Sequence, residues 1–198
     1  MSHHSFPGGS TRGQVYGTGI YGSGYPGFHT RGVEGRWFPF YFWPLVWGPG
    51  PSYSAYLRTD EYGQPSSTSR PGGVMTEAVF QSSGTGTIFR LVAHSGATAP
   101  SPFNGNTVHA EQVVQYYRAS SVALTLDTYN DTAIFLPENS TSQTPLPAGV
   151  DQNLLTCLNL TIGQAVPLVD VVSNPDVMSS SRSRSASATA IGNVEMSR

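Results

Sequence analysis

Lysine is missing altogether: all ten cationic side chains among the 198 residues are arginine. Charged residues of both signs make up only 11% of the chain, against roughly 25% in ordinary soluble domains. With a formal net charge of −2, the chain offers no basic stripe for nucleic acid. A phosphate-binding loop of the Gly-rich, Lys-Ser/Thr kind is excluded, because its lysine does not exist here. The Gly-Thr-Gly segments at Gly17 and Gly84 lack that residue. Cys157 is the single cysteine, which rules out a disulfide within the chain and a multi-cysteine zinc site. Long hydrophobic runs are lacking too. The longest apolar stretch, 37–47, has eleven residues, where a spanning helix needs about 20. The N-terminus shows no basic start followed by a hydrophobic run, so no secretory leader is expected there.

What is present is organised around Arg36-Trp37-Phe38-Pro39-Phe40-Tyr41-Phe42-Trp43-Pro44-Leu45-Val46-Trp47-Gly48. All three tryptophans of the chain lie within it. Pro39 and Pro44 would break a helix this short, since each removes an N–H donor and clashes with the preceding turn. The residues before them, Phe38 and Trp43, are pushed to extended geometry. The stretch therefore reads as an extended ribbon (36–52) carrying Trp37, Phe38, Phe40, Tyr41, Phe42, Trp43 and Trp47. Such rings bury large areas at low entropic cost. They pack on the domain that follows or form a docking surface. The division expected is Trp43 facing inward and Trp37 outward.

Before the ribbon, residues 1–35 form a glycine- and tyrosine-rich arm. Glycine loses the most backbone freedom on ordering, and the arm has few aliphatic residues to offset that loss. A disordered arm is expected, with weak self-association through spaced tyrosines and arginine–glycine steps. A serine- and arginine-rich tail at 171–198 reads as disordered for the same compositional reason.

Residues 53–170 read as one small α+β domain, an antiparallel sheet of three to four strands with two helices. Tyr53 to Arg58 suggests a short strand. Runs at 74–81 and 87–93 flank a loop containing Gly84 and Gly86, the signature of a hairpin. Residues 95–107 read as a loop. Residues 111–118 place Val113, Val114 and Tyr117 on one helical face and are read as a helix, although their β-branched and aromatic content argues for a strand. Val122, Leu124 and Leu126 alternate as in a half-buried strand. The second helix is expected over 150–162, where Val150, Leu154, Leu158 and Ile162 recur every four residues, with Gly163 as its stop. Residues 137–149 read as a loop and 166–172 as a last extended segment.

Catalytic patterns are sparse. His109-Ala110-Glu111 resembles the opening of a zinc-deaminase motif but lacks the later Pro-Cys-x-x-Cys, and reads as a surface histidine near a helix start. Cys157 paired with His94 or His109 would make a thiol–imidazole couple, but its place among Leu154, Leu155 and Leu158 favours a buried, inert thiol. Asp127, Asp131, Glu138 and Asp151 are scattered, with no spacing that pairs them as acid and base. No catalytic residue, cofactor or metal ligand is assigned. Three sequons occur, at Asn130, Asn139 and Asn159. The first two fall in expected loops, and Asn159 in an expected helix that presents it poorly.

Tyr21-Gly22-Ser23-Gly24-Tyr25-Pro26-Gly27, Arg31-Gly32-Val33-Glu34-Gly35-Arg36, Phe38-Pro39-Phe40-Tyr41-Phe42-Trp43-Pro44, Gln115-Tyr116-Tyr117-Arg118-Ala119-Ser120-Ser121-Val122 and Val166-Pro167-Leu168-Val169-Asp170 carry a resemblance. Over about 16–170 the chain is similar to a family of glycine-rich proteins of mushroom-forming fungi. That family has no established activity, so no catalytic residue carries over. Its members' setting implies the secretory route, often with a leader or terminal anchor, neither of which this chain displays. The combined expectation is a non-catalytic structural or interaction protein of a fungal cell surface or the extracellular space. Its partners would be a cell-wall or membrane surface, or its own arm. The alternative is a carbohydrate- or lipid-interface-binding module, and more remotely a hydrolase.

Overall fold

The computed structural model describes residues 16–23, 43–47, 63–70, 72–94, 101–135 and 144–165. Its centre is an antiparallel sheet of β1 (Met75–Gln81), β2 (Ile88–His94), β3 (Ser101–Pro102), β4 (Val113–Tyr117) and β5 (Val122–Leu126), in the order β3-β1-β2-β5-β4. One α-helix, α1 (Gln152–Ala165), completes an α+β fold among the described residues. The expected hairpin is present: β1 and β2 pair from Met75 with His94 to Gln81 with Ile88. The suggested strand at 53–58, the segment 166–172, Asn139 and Glu138 lie outside the described residues.

The register sorts the side chains onto two faces, because successive residues of a strand point to opposite sides. Glu77 stands opposite Val92, Arg90 opposite Thr125, Val92 opposite Ala123 and Ala123 opposite Tyr116. With Met75 and His94 they form one face. Phe89, Leu91, Leu124, Leu126 and Tyr117 belong to the other. Each face has its own core. Leu155, Leu158 and Ile162 of α1 pack with Phe89, Tyr117, Leu124 and Leu126 on the second face. On the first face the cover is irregular chain: Tyr21, Leu45, Val46 and Trp47 lie over Met75, Val92, Tyr116 and Ala123.

Covering both faces explains the main departure from the sequence reading. Residues 113–117 are a strand preceded by a short 3-10 turn, Ala110–Gln112, rather than a helix. Val113, Tyr116 and Tyr117 are all buried, some on each face. Such a strand loses its alternation and imitates a helical pattern. Its β-branched and aromatic residues favour the pleated form, and pairing with β5 fixes it. For the same reason β5 is buried along its whole length rather than half-buried. The loop expected over 95–107 contributes β3, a two-residue edge strand against Thr76 and Glu77.

The helix also differs in detail. It begins after Asp151, whose carboxylate Oδ1 accepts the Leu154 N–H at 2.9 Å as an N-terminal cap. The Ser82 hydroxyl donates to Oδ2 at 2.6 Å, tying the β1–β2 hairpin to the helix start. That bond, then the Leu154 N–H, holds the Asp151 carboxyl below its ordinary range. The buried line is Leu155, Leu158 and Ile162, with Leu154 only half-buried. A strict four-residue repeat drifts about 40° per step around a helix of 3.6 residues per turn, so it slides off the seam. The same geometry turns Cys157 to the solvent side, where it is exposed and not the buried thiol expected.

Gly163 does not stop the helix, which runs on to Ala165. It is buried inside it, and the space a Cβ would take is filled by Tyr16, whose Oη would lie 2.0 Å from that atom. Tyr16 donates to the Asn159 carbonyl at 3.0 Å and meets Tyr117 edge-to-face, with ring centroids 5.8 Å apart. Gly17 N–H donates to Tyr116 O and Tyr116 N–H to Thr18 O, at 3.1 and 2.9 Å. Residues 16–18 of the glycine-rich arm thus lie along the outer edge of β4 and satisfy groups that an open edge would leave bare.

Candidate interaction site

The segment 43–47 is the end of the aromatic ribbon. It joins no sheet ladder, so its backbone polar groups need other partners. Side chains and one turn supply them. Trp43 O accepts from His94 Nε2. Pro44 O accepts from Arg70 Nη2. Leu45 N–H donates to Ser120 O at 2.8 Å, and Leu45 O accepts from the Tyr21 hydroxyl at 2.7 Å. Arg70 Nη1 lies 3.0 Å from His94 Nδ1, joining the first two clamps into one.

Each clamp is positioned by local structure. His94 ends β2 on the same face as Val92 and Met75, under the ribbon. Gly72 lies against its ring: at φ +87° it adopts a left-handed backbone, and a Cβ there would sit 3.3 Å from His94 Cγ. Ser120 belongs to the β4–β5 connection, where Arg118, Ala119 and Ser120 have φ of 48°, 55° and 63°. Three successive non-glycine residues in this region cost roughly 1–2 kcal/mol each. That turn directs the Ser120 carbonyl to Leu45 and its hydroxyl to the Gly22 N–H at 2.6 Å. A single turn thereby holds both the ribbon and the arm.

The side chains fill the face. Leu45 and Val46 are fully buried, and Trp47 is 2% exposed. Trp47 meets Phe103 and Tyr116 edge-to-face at 6.0 and 6.4 Å, and Tyr116 meets Tyr21 at 5.6 Å. Trp43 is half-buried and packs against the same core. Trp37, Phe38, Phe40, Tyr41 and Phe42 lie outside the described residues.

Burial sets the electrostatics. It pushes the Arg70 guanidinium down to about 10 and that of Arg118 down to about 9, so both stay charged at neutral pH. His94 falls to about 4, first through burial and then through the positive charge of Arg70. Its imidazole is neutral under ordinary conditions. A second charged group sits farther along the same face, where Arg90 donates to both carboxylate oxygens of Asp127 at 2.7 and 2.8 Å and to Glu77 at 3.3 Å. The Asp127 bond, foremost, raises the Arg90 pKa.

Several of the other residues singled out in sequence have structural partners. Asp131 Oδ1 accepts the N–H groups of Ala133 and Thr144, both at 3.0 Å. His109 N–H donates to the Gln112 side chain at 2.8 Å, at the start of the 3-10 turn. His94 is engaged by Trp43 and Arg70, on the face of the sheet opposite α1, so it forms no couple with the exposed Cys157. Among the described residues no group of three His, Cys, Asp or Glu is placed to hold a metal. No described helix is long and apolar enough to cross a membrane. Asn130 is exposed. Asn159 is turned inward, its Oδ1 accepting the hydroxyl of the buried Tyr117.

Sequence reasoning did not find Arg70, Tyr21, Ser120 or the clamping role of His94. One signal was available: the alternation Ile88, Arg90, Val92, His94 places His94 on a face whose other members include apolar residues. Compared with family models, curated proteins and solved structures, the chain finds no match in any of the three.

Proposed function

We propose that this chain is a non-catalytic structural or interaction protein of a fungal cell surface or the extracellular space, docking through its aromatic–proline ribbon. The observation that carries the reading is the anchoring of 43–47. Four side-chain or turn contacts fix its backbone, and Trp47 is driven into the core. The five aromatic residues from Trp37 to Phe42 directly precede that anchored segment in sequence. Further support comes from the ionisable side chains. Both His94 nitrogens, the carboxylates of Asp127 and Glu77, and Asp151 are occupied in holding elements together.

The test separates the two ends of the ribbon. Trp47→Ala removes a fully packed ring and should cost about 3–5 kcal/mol of stability. Trp37→Ala should leave the melting midpoint nearly unchanged while lowering retention on insoluble cell-wall glucan or on lipid vesicles. Retention on glucan alone selects a carbohydrate-binding module, and retention on vesicles alone a lipid-interface module. Retention on both surfaces unchanged by Trp37→Ala, or a Trp37→Ala variant that loses stability only, refutes docking by the ribbon.

A further inference from the structure

We infer that the arm is exchanged between copies: segment 16–23 of one chain seats along the outer edge of β4 in a second, and the two close a reciprocal dimer. That edge is shaped for one occupant. At one end Tyr16 fills the notch at Gly163 on α1, where a Cβ would lie 2.0 Å from its Oη, and it donates to the Asn159 carbonyl at 3.0 Å. Gly17 and Thr18 then pair with Tyr116, and the Gln115 side chain donates to Gly17 O at 2.7 Å. At the other end the Tyr21 ring meets Tyr116 in the core of the opposite face. The edge thus reads a tyrosine–glycine pair and, five places on, a second one. Within the 198 residues that pattern occurs once, at Tyr16-Gly17 and Tyr21-Gly22.

None of these contacts requires the arm to belong to the same chain. With a single cysteine, no disulfide within the chain holds it. Its covalent tie to the body is the stretch 24–42, and that stretch is longer than the gap it closes. The Gly22 N–H donates to the Ser120 hydroxyl at 2.6 Å, and the Leu45 N–H to the Ser120 carbonyl at 2.8 Å. The chain leaves Ser120 and returns to it. Extended, 24–42 would span roughly 60 Å, which is long enough to reach the same turn in a neighbouring copy.

Closed and exchanged forms contain the same contacts and differ only in the path of 24–42, which keeps their free energies close. Concentration then decides between them. A flexible tether holds its own arm at an effective concentration on the order of millimolar, and exchange overtakes closure as copies approach that density. The relevance of exchange rests on the surface setting proposed above, which crowds the copies. The exchange itself does not depend on what the ribbon binds. Retention on glucan or vesicles judges the surface reading, and neither measurement below uses it.

The experiment mixes two full-length variants. Tyr16→Ala has an open notch and a blunted arm, and Gly163→Ala has an intact arm and a filled notch. Neither can seat Tyr16 in itself. In a reciprocal pair the Tyr16 ring of one finds the open Gly163 of the other, while the two introduced alanines meet without a clash. The variants are combined in urea, refolded together and followed by sedimentation up to about 1 mM. The expected result is a heterodimer about thirtyfold tighter than either homodimer, equivalent to about 2 kcal/mol of coupling between the two positions. Association of the mixture no stronger than that of the separate variants overturns the exchange. Should either variant fail to refold, the unmodified chain decides. In a mixture of isotope-labelled and unlabelled copies at about 1 mM, contacts of Tyr16 with Tyr117 and of Tyr21 with Tyr116 should appear between copies. Their confinement within single copies overturns the exchange.

Discussion

Replacing Gly163 by alanine has a sign that depends on Tyr16. In the interior of a helix the change ordinarily stabilises by about 1 kcal/mol, because alanine loses less backbone freedom. Here the new Cβ would fall 2.0 Å from Tyr16 Oη and 2.1 Å from Cζ. The ring is rigid, so it has to leave as a unit. Leaving breaks its hydrogen bond to Asn159 O, worth about 1 kcal/mol. It also ends the edge-to-face contact with Tyr117, worth about 0.5–1.5 kcal/mol, and loosens the pairing of 16–18 along β4. The losses exceed the gain, and Gly163→Ala should destabilise the protein by on the order of 1 kcal/mol. In a Tyr16→Ala background the obstacle is gone, and the same change should stabilise by about 1 kcal/mol. The cycle is read by urea unfolding of the full chain, taking the midpoint at constant slope. A coupling near 2 kcal/mol locates Tyr16 over the helix. If Gly163→Ala stabilises both backgrounds equally, Tyr16 is not lodged there and the packing of the arm is wrong.

Two further outcomes follow from α1. Leu158→Ala should cost about 2–5 kcal/mol in the same assay, since that side chain is buried against the sheet. Leu154→Ala should cost distinctly less, because Leu154 lies on the flank of the helix; equal losses would contradict the placement of the helical seam. For glycosylation, material from the native source should carry sugar at the exposed Asn130 and none at Asn159, whose side chain is engaged by Tyr117. Site-resolved mass spectrometry showing a glycan on Asn159 would refute that orientation, and a bare Asn130 would count against the secretory route.

The parts of the fold that were legible in sequence are those where one local pattern decides. The β1–β2 hairpin has two strand-forming runs around a glycine-bearing turn. Strand β5 shows Val122, Leu124 and Leu126 in strict alternation. Strand β4 was misread because adjacent residues such as Tyr116 and Tyr117 go to opposite cores, which erases the period of two. The arm segment 16–23 was read from glycine entropy alone. Its order comes from tertiary contacts, above all those of the fully buried Tyr21 and the half-buried Tyr16, whose partners Leu45 and Asn159 lie 24 residues or more away in sequence. The clamp was illegible for a related reason. Tyr21, Trp43, Pro44, Arg70, His94 and Ser120 are joined only by the register of the sheet and by a left-handed turn, and neither leaves a spacing in the chain.

The absence of lysine acquires a physical sense from this arrangement. A face covered by irregular chain presents carbonyl groups that no ladder satisfies. Their donors must reach into the interior and remain donors there. A buried lysine sheds its proton readily, whereas a guanidinium stays charged and presents several N–H groups in a fixed fork. Arg70 uses that fork to serve Pro44 O and His94 at once. Arg90 uses it to bridge Glu77 of β1 and Asp127, just past the end of β5. Buried Arg118 lies in the turn that holds Ser120. Arg90 is engaged by carboxylates, and His94 is held below its ordinary range first by burial and then by the nearby charges of Arg70 and Arg118.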